Sequence, residues 1–120
     1  MTQAKRKQRI APPAAPGQWE VRCGINDAGK GWEDLCRQAR GNTRWAWEQM
    51  STDPMPNPET PRHHRLKGRL WNGSFEGREL PMWQIEVTSG GRVWYLVDEE
   101  CSTVWVVAAG TAHPKATDRS

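Results

Sequence analysis

The sequence predicts a two-layer α+β fold with the element order β-α-α-β-β-β-β, and two patterns support this prediction. Between residues 82 and 109, β-forming residues nearly alternate with others in three short runs separated by turn residues. This is typical of consecutive antiparallel strands. Between residues 28 and 39, apolar residues recur at helical spacing. We expect a helix pair to pack on one face of the sheet and to leave the other face free.

The N-terminal part divides into a leader and a first strand. Residues 1–18 are basic and then rich in proline and alanine, with no periodicity, which predicts a disordered leader. The domain itself is expected over 19–117. The alternating run WEVRCGI at 19–25 predicts the first strand.

Two helices follow the first strand. Asn26 or Asp27 is a suitable N-cap for a helix over about 28–39, and Gly41 is placed to end it. A second, shorter helix is predicted over 43–51.

The remaining strands lie beyond a loop at 55–61 that contains three prolines. The segment 72–81, which contains glycine, is interpreted as a connection. The predicted strands are 66–71, 82–88, 92–98 and 103–109.

Composition bears on the class of partner. The net charge is +3, and 12 of the 17 cationic residues are arginine, which favours bidentate phosphate binding. A solvated basic face explains the charge equally well. Most of the eight tryptophans are expected in the core, with Trp47 and Trp71 as candidates for exposure and partner contact.

The three cysteines show no CxxC pair and no ligand spacing, which indicates reduced thiols in a cytoplasmic protein. We expect no metal site and no cofactor. No apolar run reaches membrane-spanning length, and there is no apolar signal-peptide region.

Two residues are expected to meet at one end of the sheet. If the last hairpin turns around 99–102, Arg92 lies near Ala109 and His113 emerges at the same end. An arginine can hold a phosphate and a histidine can transfer a proton. The alternative for Arg92 is a structural role, in which it covers the helix layer or forms an ion pair with Glu86.

A basic block precedes the predicted strand at 66–71. Its alternating cations Arg65, Lys67 and Arg69 could follow an RNA backbone, and Lys115 in the tail could add a phosphate contact. A charged strand edge that prevents aggregation is the competing interpretation. His63 and His64 lack a third ligand at suitable spacing, which argues against a metal site.

Four sequence features together are similar to the RelE/ParE superfamily of toxins from type II toxin-antitoxin systems. The order of elements matches, and the similarity covers residues 19–117. The features are Asp53-Pro54, Leu66-Lys67-Gly68, Arg92-Val93-Trp94-Tyr95 and the closing Gly110-Thr111-Ala112-His113-Pro114-Lys115.

The resemblance implies a ribosome-dependent endoribonuclease that cleaves messenger RNA without a metal and is blocked by an antitoxin. His113 would act as general acid or base, and Arg92 would hold the phosphate. Glu86 stands where lysine-using members carry a lysine, and it could serve as the base. Strand alternation assigns Tyr95 to packing.

Two alternatives share this fold. A ParE-like member would poison DNA gyrase, and an inactive relative would be a protein-interaction module.

Overall fold

The computed structural model describes residues 3–112, and it has the predicted α+β class: an opening strand, two helices, and then mostly antiparallel strands in one mixed sheet. Five strands follow the helices in this part of the chain, one more than predicted. The elements are β1 (Glu20–Cys23), α1 (Asn26–Gln38), α2 (Arg40–Thr52), β2 (His63–Arg65), a 3₁₀ helix (Gly68–Leu70), β3 (Asn72–Phe75), β4 (Arg78–Glu86), β5 (Arg92–Asp98) and β6 (Thr103–Gly110).

The strand order is β1-β6-β5-β4-β2, with β3 paired to β4. The pairs β4–β5, β5–β6, β2–β4 and β3–β4 are antiparallel. β1 pairs with β6 in parallel, so that the first and last strands are neighbours. The long crossover from β1 to the rest of the sheet contains both helices, which cover one face.

The helix-side core forms because β5 and its neighbours direct alternate side chains toward α1 and α2. Val93, Tyr95 and Val97 point to this side and are almost completely buried. Leu35 of α1 and Met50 of α2 meet them, each fully buried. The predicted packing role of Tyr95 agrees with this position.

The second face of the sheet is not free as expected. The β3–β4 hairpin folds back across it, and the Phe75 ring stacks on Trp105 with 4.5 Å between ring centroids. Below the hairpin, Arg78 donates hydrogen bonds to both carboxylate oxygens of the buried Asp98, and these bonds lower the pKa of Asp98 to about 2. A second apolar cluster results: Leu66, Phe75, Leu80, Met82, Trp94, Leu96 and Trp105.

The prediction of a strand at 66–71 is wrong. The extended segment is only His63–Arg65, and Gly68, at φ +63°, then starts a 3₁₀ helix. The connection predicted at 72–81 is also wrong, because it forms the β3–β4 hairpin. Its two-residue loop, Glu76-Gly77, has positive φ at both positions, as type I′ turns require.

The leader differs from the disorder predicted for residues 1–18. Within residues 3–18, the backbone pairs with the outer edge of β1: the Lys7 amide donates to the Cys23 carbonyl, and the Cys23 amide donates to the Gln8 carbonyl. Arg6 and Lys7 also form ion pairs with Glu76 at the tip of the β3–β4 hairpin. The leader therefore covers a strand edge that would otherwise be open.

None of the helices between residues 3 and 112 combines the length and the apolar character that crossing a membrane requires.

Candidate active site and nucleic-acid interface

Arg92 and Glu86 lie directly opposite each other, because β4 pairs with β5 in that register. They stand at the end of the sheet where β5 begins and β6 ends, which we call the open end. Arg92 Nη1 is 3.1 Å from Glu86 Oε2, and Arg92 as a residue is only 9% exposed. On its other side, Arg92 pairs with Gly110, one residue from the predicted neighbour Ala109. The ion pair considered as an alternative from the sequence is therefore present.

The other two proposed site residues in the tail, His113 and Lys115, lie outside the described residues. The structure thus brings together Arg92 and Glu86, and the meeting of His113 with them stays a prediction.

A histidine that the sequence did not single out as catalytic shares this face of the sheet. His64 pairs in register with Gln84, two residues before Glu86 on the same strand. Alternation along β4 places Gln84 and Glu86 on one side, and the contact of His64 with Gln84 places His64 there too. His64, Glu86 and Arg92 consequently lie on the same face, toward the open end.

The hydrogen bonds around His64 define its tautomer in the neutral form. Trp94 Nε1 donates to Gln84 Oε1 at 2.8 Å, which turns the Gln84 amide nitrogen toward His64 Nε2 at 3.4 Å. His64 Nδ1 lies 3.1 Å from the Arg65 carbonyl oxygen, which can only accept. The proton therefore sits on Nδ1, and Nε2 is an acceptor.

The neighbouring His63 points into the helix-side core and has no part in this site. Its Nε2 lies 2.5 Å from the Tyr95 hydroxyl, which itself donates to the Pro54 carbonyl at 2.5 Å. Burial, with a smaller contribution from His64, lowers the pKa of His63 to about 4.

Three of the predicted RNA-binding residues, Arg65, Lys67 and Arg69, lie along an edge at the end of β2 and just after it. Lys67 and Arg69 are exposed, as phosphate contacts require. Arg65 instead lies flat on Trp71, with its Cζ 3.3 Å from the ring centroid, and donates to the Trp71 carbonyl oxygen. Burial against these groups lowers the pKa of Arg65 from its ordinary value.

A cavity of about 510 Å³ opens next to this edge. We call it the edge cavity, and its wall includes His64, Arg65, Leu66, Lys67 and Leu70. Leu66 belongs to the second apolar cluster and Leu70 packs against that cluster. Glu59 and Thr60 also line the cavity, so that its wall carries both charges.

Within the range 3–112, no group of three or more His, Cys, Asp or Glu side chains is arranged to hold a metal ion. No protein-family model matches the sequence, and neither the comparison with curated proteins nor that with solved structures finds a significant match.

Proposed function

We propose that this chain is a cytoplasmic RelE-like toxin that cleaves messenger RNA on the ribosome without a metal and is neutralised by a cognate antitoxin. The observation that carries the proposal is the placement of a carboxylate, a guanidinium and an imidazole on one face of the sheet. These groups belong to Glu86, Arg92 and His64. Metal-free cleavage of RNA needs a base, a cation at the phosphate and an acid.

In the proposed reaction, the Glu86 carboxylate removes the proton from a ribose 2′-hydroxyl. The 2′-oxygen then attacks the adjacent phosphorus, and the bond from phosphorus to the 5′-oxygen breaks. A histidine, His113 or His64, enters this step as the imidazolium and donates the proton that the leaving 5′-oxygen needs. For His64 the donated proton is the one on Nε2, the nitrogen that is an acceptor in the neutral form. The products are a 2′,3′-cyclic phosphate and a 5′-hydroxyl.

The ion pair between Glu86 and Arg92 fits this sequence of events. While Glu86 is ionised, it neutralises much of the positive charge of Arg92 across 3.1 Å. When Glu86 takes up the proton, that interaction weakens, and more of the Arg92 charge acts on the phosphorane. Stabilisation of this kind acts on the transition state more than on the bound substrate.

The surface beside the site and the order of elements add support. The exposed Lys67 and Arg69 offer positive charge for an RNA backbone farther along the same side of the sheet, because β2 starts beside Glu86 and runs from there toward Met82. The sequence of an opening strand, a helix pair and a hairpin carrying Arg92-Val93-Trp94-Tyr95 is the order expected from the resemblance.

Controlled expression in a sensitive bacterium, followed by mapping of 5′-hydroxyl RNA ends, tests the proposal. Wild type should arrest growth and produce new ends within translated messages. Arg92→Ala and Glu86→Gln should each lower the yield of new ends by about 100-fold. Arg92→Lys keeps the charge and part of the packing, and should retain intermediate activity.

Arg44→Ala is a matched control, because Arg44 is an exposed arginine on α2, away from the site. It should cleave like wild type. Growth arrest without new RNA ends would overturn the nuclease proposal and favour gyrase poisoning. The absence of arrest would favour an interaction module, for which the burial and pairing of Arg92 are the supporting observation.

A further inference from the structure

Trp71 is an unusual tryptophan in this chain. It is 49% exposed, whereas Trp32, Trp83, Trp94 and Trp105 are buried. The exposed part of this ring is a planar surface on which another planar group can stack.

Arg65 holds the Trp71 ring on one face. The Arg65 guanidinium covers one ring face at 3.3 Å from the centroid. Arg65 is itself fixed by hydrogen bonds to the Trp71 carbonyl oxygen at 3.0 and 3.2 Å and to Asn72 Oδ1 at 2.6 Å. The large exposed fraction of Trp71 leaves its other side accessible, so that a second planar group can stack on a ring that is already oriented.

The edge cavity beside Trp71 supplies complementary chemistry. Its volume of about 510 Å³ lies within the usual range for small-molecule sites. Leu66 and Leu70 line it with apolar groups, Lys67 adds a cation, and Glu59 adds a carboxylate that can accept from the N–H groups of a base. His64 lies in the same wall, with its Nε2 facing the Gln84 amide nitrogen. An aromatic platform, an apolar lining and nearby cations are the features by which proteins bind unpaired nucleotides.

We propose that Trp71 and the edge cavity bind one unpaired nucleotide of a single-stranded RNA. The base stacks on the face of Trp71 that Arg65 does not cover, the neighbouring part of the strand lies along the edge cavity on the Arg65 side, and Lys67 and Arg69 contact the flanking phosphates. The choice of RNA over DNA rests on the proposed function, whereas the stacking site rests on Trp71 and its surroundings alone.

Fluorescence anisotropy with the full chain and a labelled unstructured RNA hexamer tests this site without the ribosome. Trp71→Ala should weaken binding by at least about tenfold, and Trp71→Phe should recover most of it because a ring remains. Lys67→Ala should reduce the slope of log affinity against log salt by about 0.7, the value for one lost phosphate contact on a single strand.

Two controls come from exposed residues outside the edge cavity. Ile25→Ala removes an apolar side chain that is 44% exposed, and Lys30→Ala removes a lysine on α1. Both should bind RNA like wild type. If Trp71→Ala binds as tightly as Ile25→Ala, the stacking site is wrong. Equal binding of a DNA hexamer of the same sequence would overturn the assignment to RNA.

This experiment separates the site from the nuclease. RNA binding that depends on Trp71, in a chain that produces no new RNA ends, would support the site and refute the nuclease. Cleavage by Trp71→Ala at the wild-type level, with unchanged binding, would refute the site and leave the nuclease standing.

Discussion

Adjacent residues of β2, His63 and His64, lie on opposite faces of the sheet and have opposite surroundings. His63 is buried between Tyr95 and Trp83, with ring centroids 6.0 and 6.2 Å away. His64 lies half-buried in the wall of the edge cavity. Of these two residues, only His64 is therefore accessible for a chemical role, and His63 affects the stability of the fold.

The pKa of His63 predicts how stability depends on pH. Burial lowers this pKa to about 4 from an unfolded value of 6.5. Between these values the unfolded chain takes up a proton that the folded chain excludes, so that the free energy of unfolding falls as the pH is lowered from 6.5 to 4. The loss should be on the order of 3 kcal/mol. Urea unfolding at pH 7.5 and pH 4.5 measures it.

His63→Gln and His64→Gln make a matched pair for that experiment. His63→Gln should remove this part of the pH dependence, because the group that titrates is gone. His64→Gln should keep it, since His63 and its bond to Tyr95 remain. An equal loss of stability with pH in wild type and in His63→Gln would contradict the prediction.

At the level of elements, prediction from sequence worked where strands are long and paired locally. The alternation in β4 and β5 persists over seven or more residues, and short turns fix the register of these strands. In β6 a register shift opposite Trp94 and Tyr95 interrupts the alternation, which is why Arg92 pairs with Gly110 and not with Ala109. The approach of Glu86 to Arg92 follows from the register of β4 and β5. β2 has only three residues. A strand of that length carries no detectable period, which is why the position of His64 on the site face could not be predicted.

The glycines of α1 show a second reason why sequence reasoning falls short. Gly31 weakens a helix by intrinsic propensity, yet a Cβ added there would lie 1.6 Å from the carbonyl oxygen of Ala109 in β6. The glycine is what lets the helix lie so close to the sheet. Gly41, expected to end the first helix, is instead the second residue of α2, and a Cβ there would meet nothing within 4 Å.

Alanine at these two glycines should therefore have opposite effects. Gly31→Ala forces α1 away from β6 and should destabilise the fold by about 1–3 kcal/mol or more, as overpacking does. Gly41→Ala should be neutral or stabilise by up to about 1 kcal/mol, because alanine is the better helix former. Chemical denaturation of the two variants measures both effects. A Gly31→Ala variant as stable as Gly41→Ala would show that α1 does not pack this closely.

For the molecule as a whole, the leader covers the outer edge of β1, and the β3–β4 hairpin covers the second face of the sheet. The leader lies along β1, and its cations meet Glu76 at the hairpin tip, so that segments about 70 residues apart in sequence are joined. Composition alone predicted disorder for residues 1–18, because the segment is rich in charge and proline. Composition does not reveal the few backbone hydrogen bonds and the packing of Ile10 that hold the leader against the sheet. Such long-range pairing leaves no local pattern in the sequence.

Amide hydrogen exchange can test the role of the leader with an internal reference. The Cys23 amide donates to Gln8 of the leader, whereas the next amide, that of Gly24, donates to Val106 in the sheet. In the intact chain both should be protected. Removal of residues 1–12 should raise the exchange rate of the Cys23 amide at least about tenfold and leave the Gly24 amide protected, because only the Cys23 amide loses its acceptor. Rapid exchange at Cys23 in the intact chain would show that the leader does not pair with β1.

The same truncation should also cause self-association through the uncovered edge of β1. This association should increase with protein concentration, and sedimentation measures it.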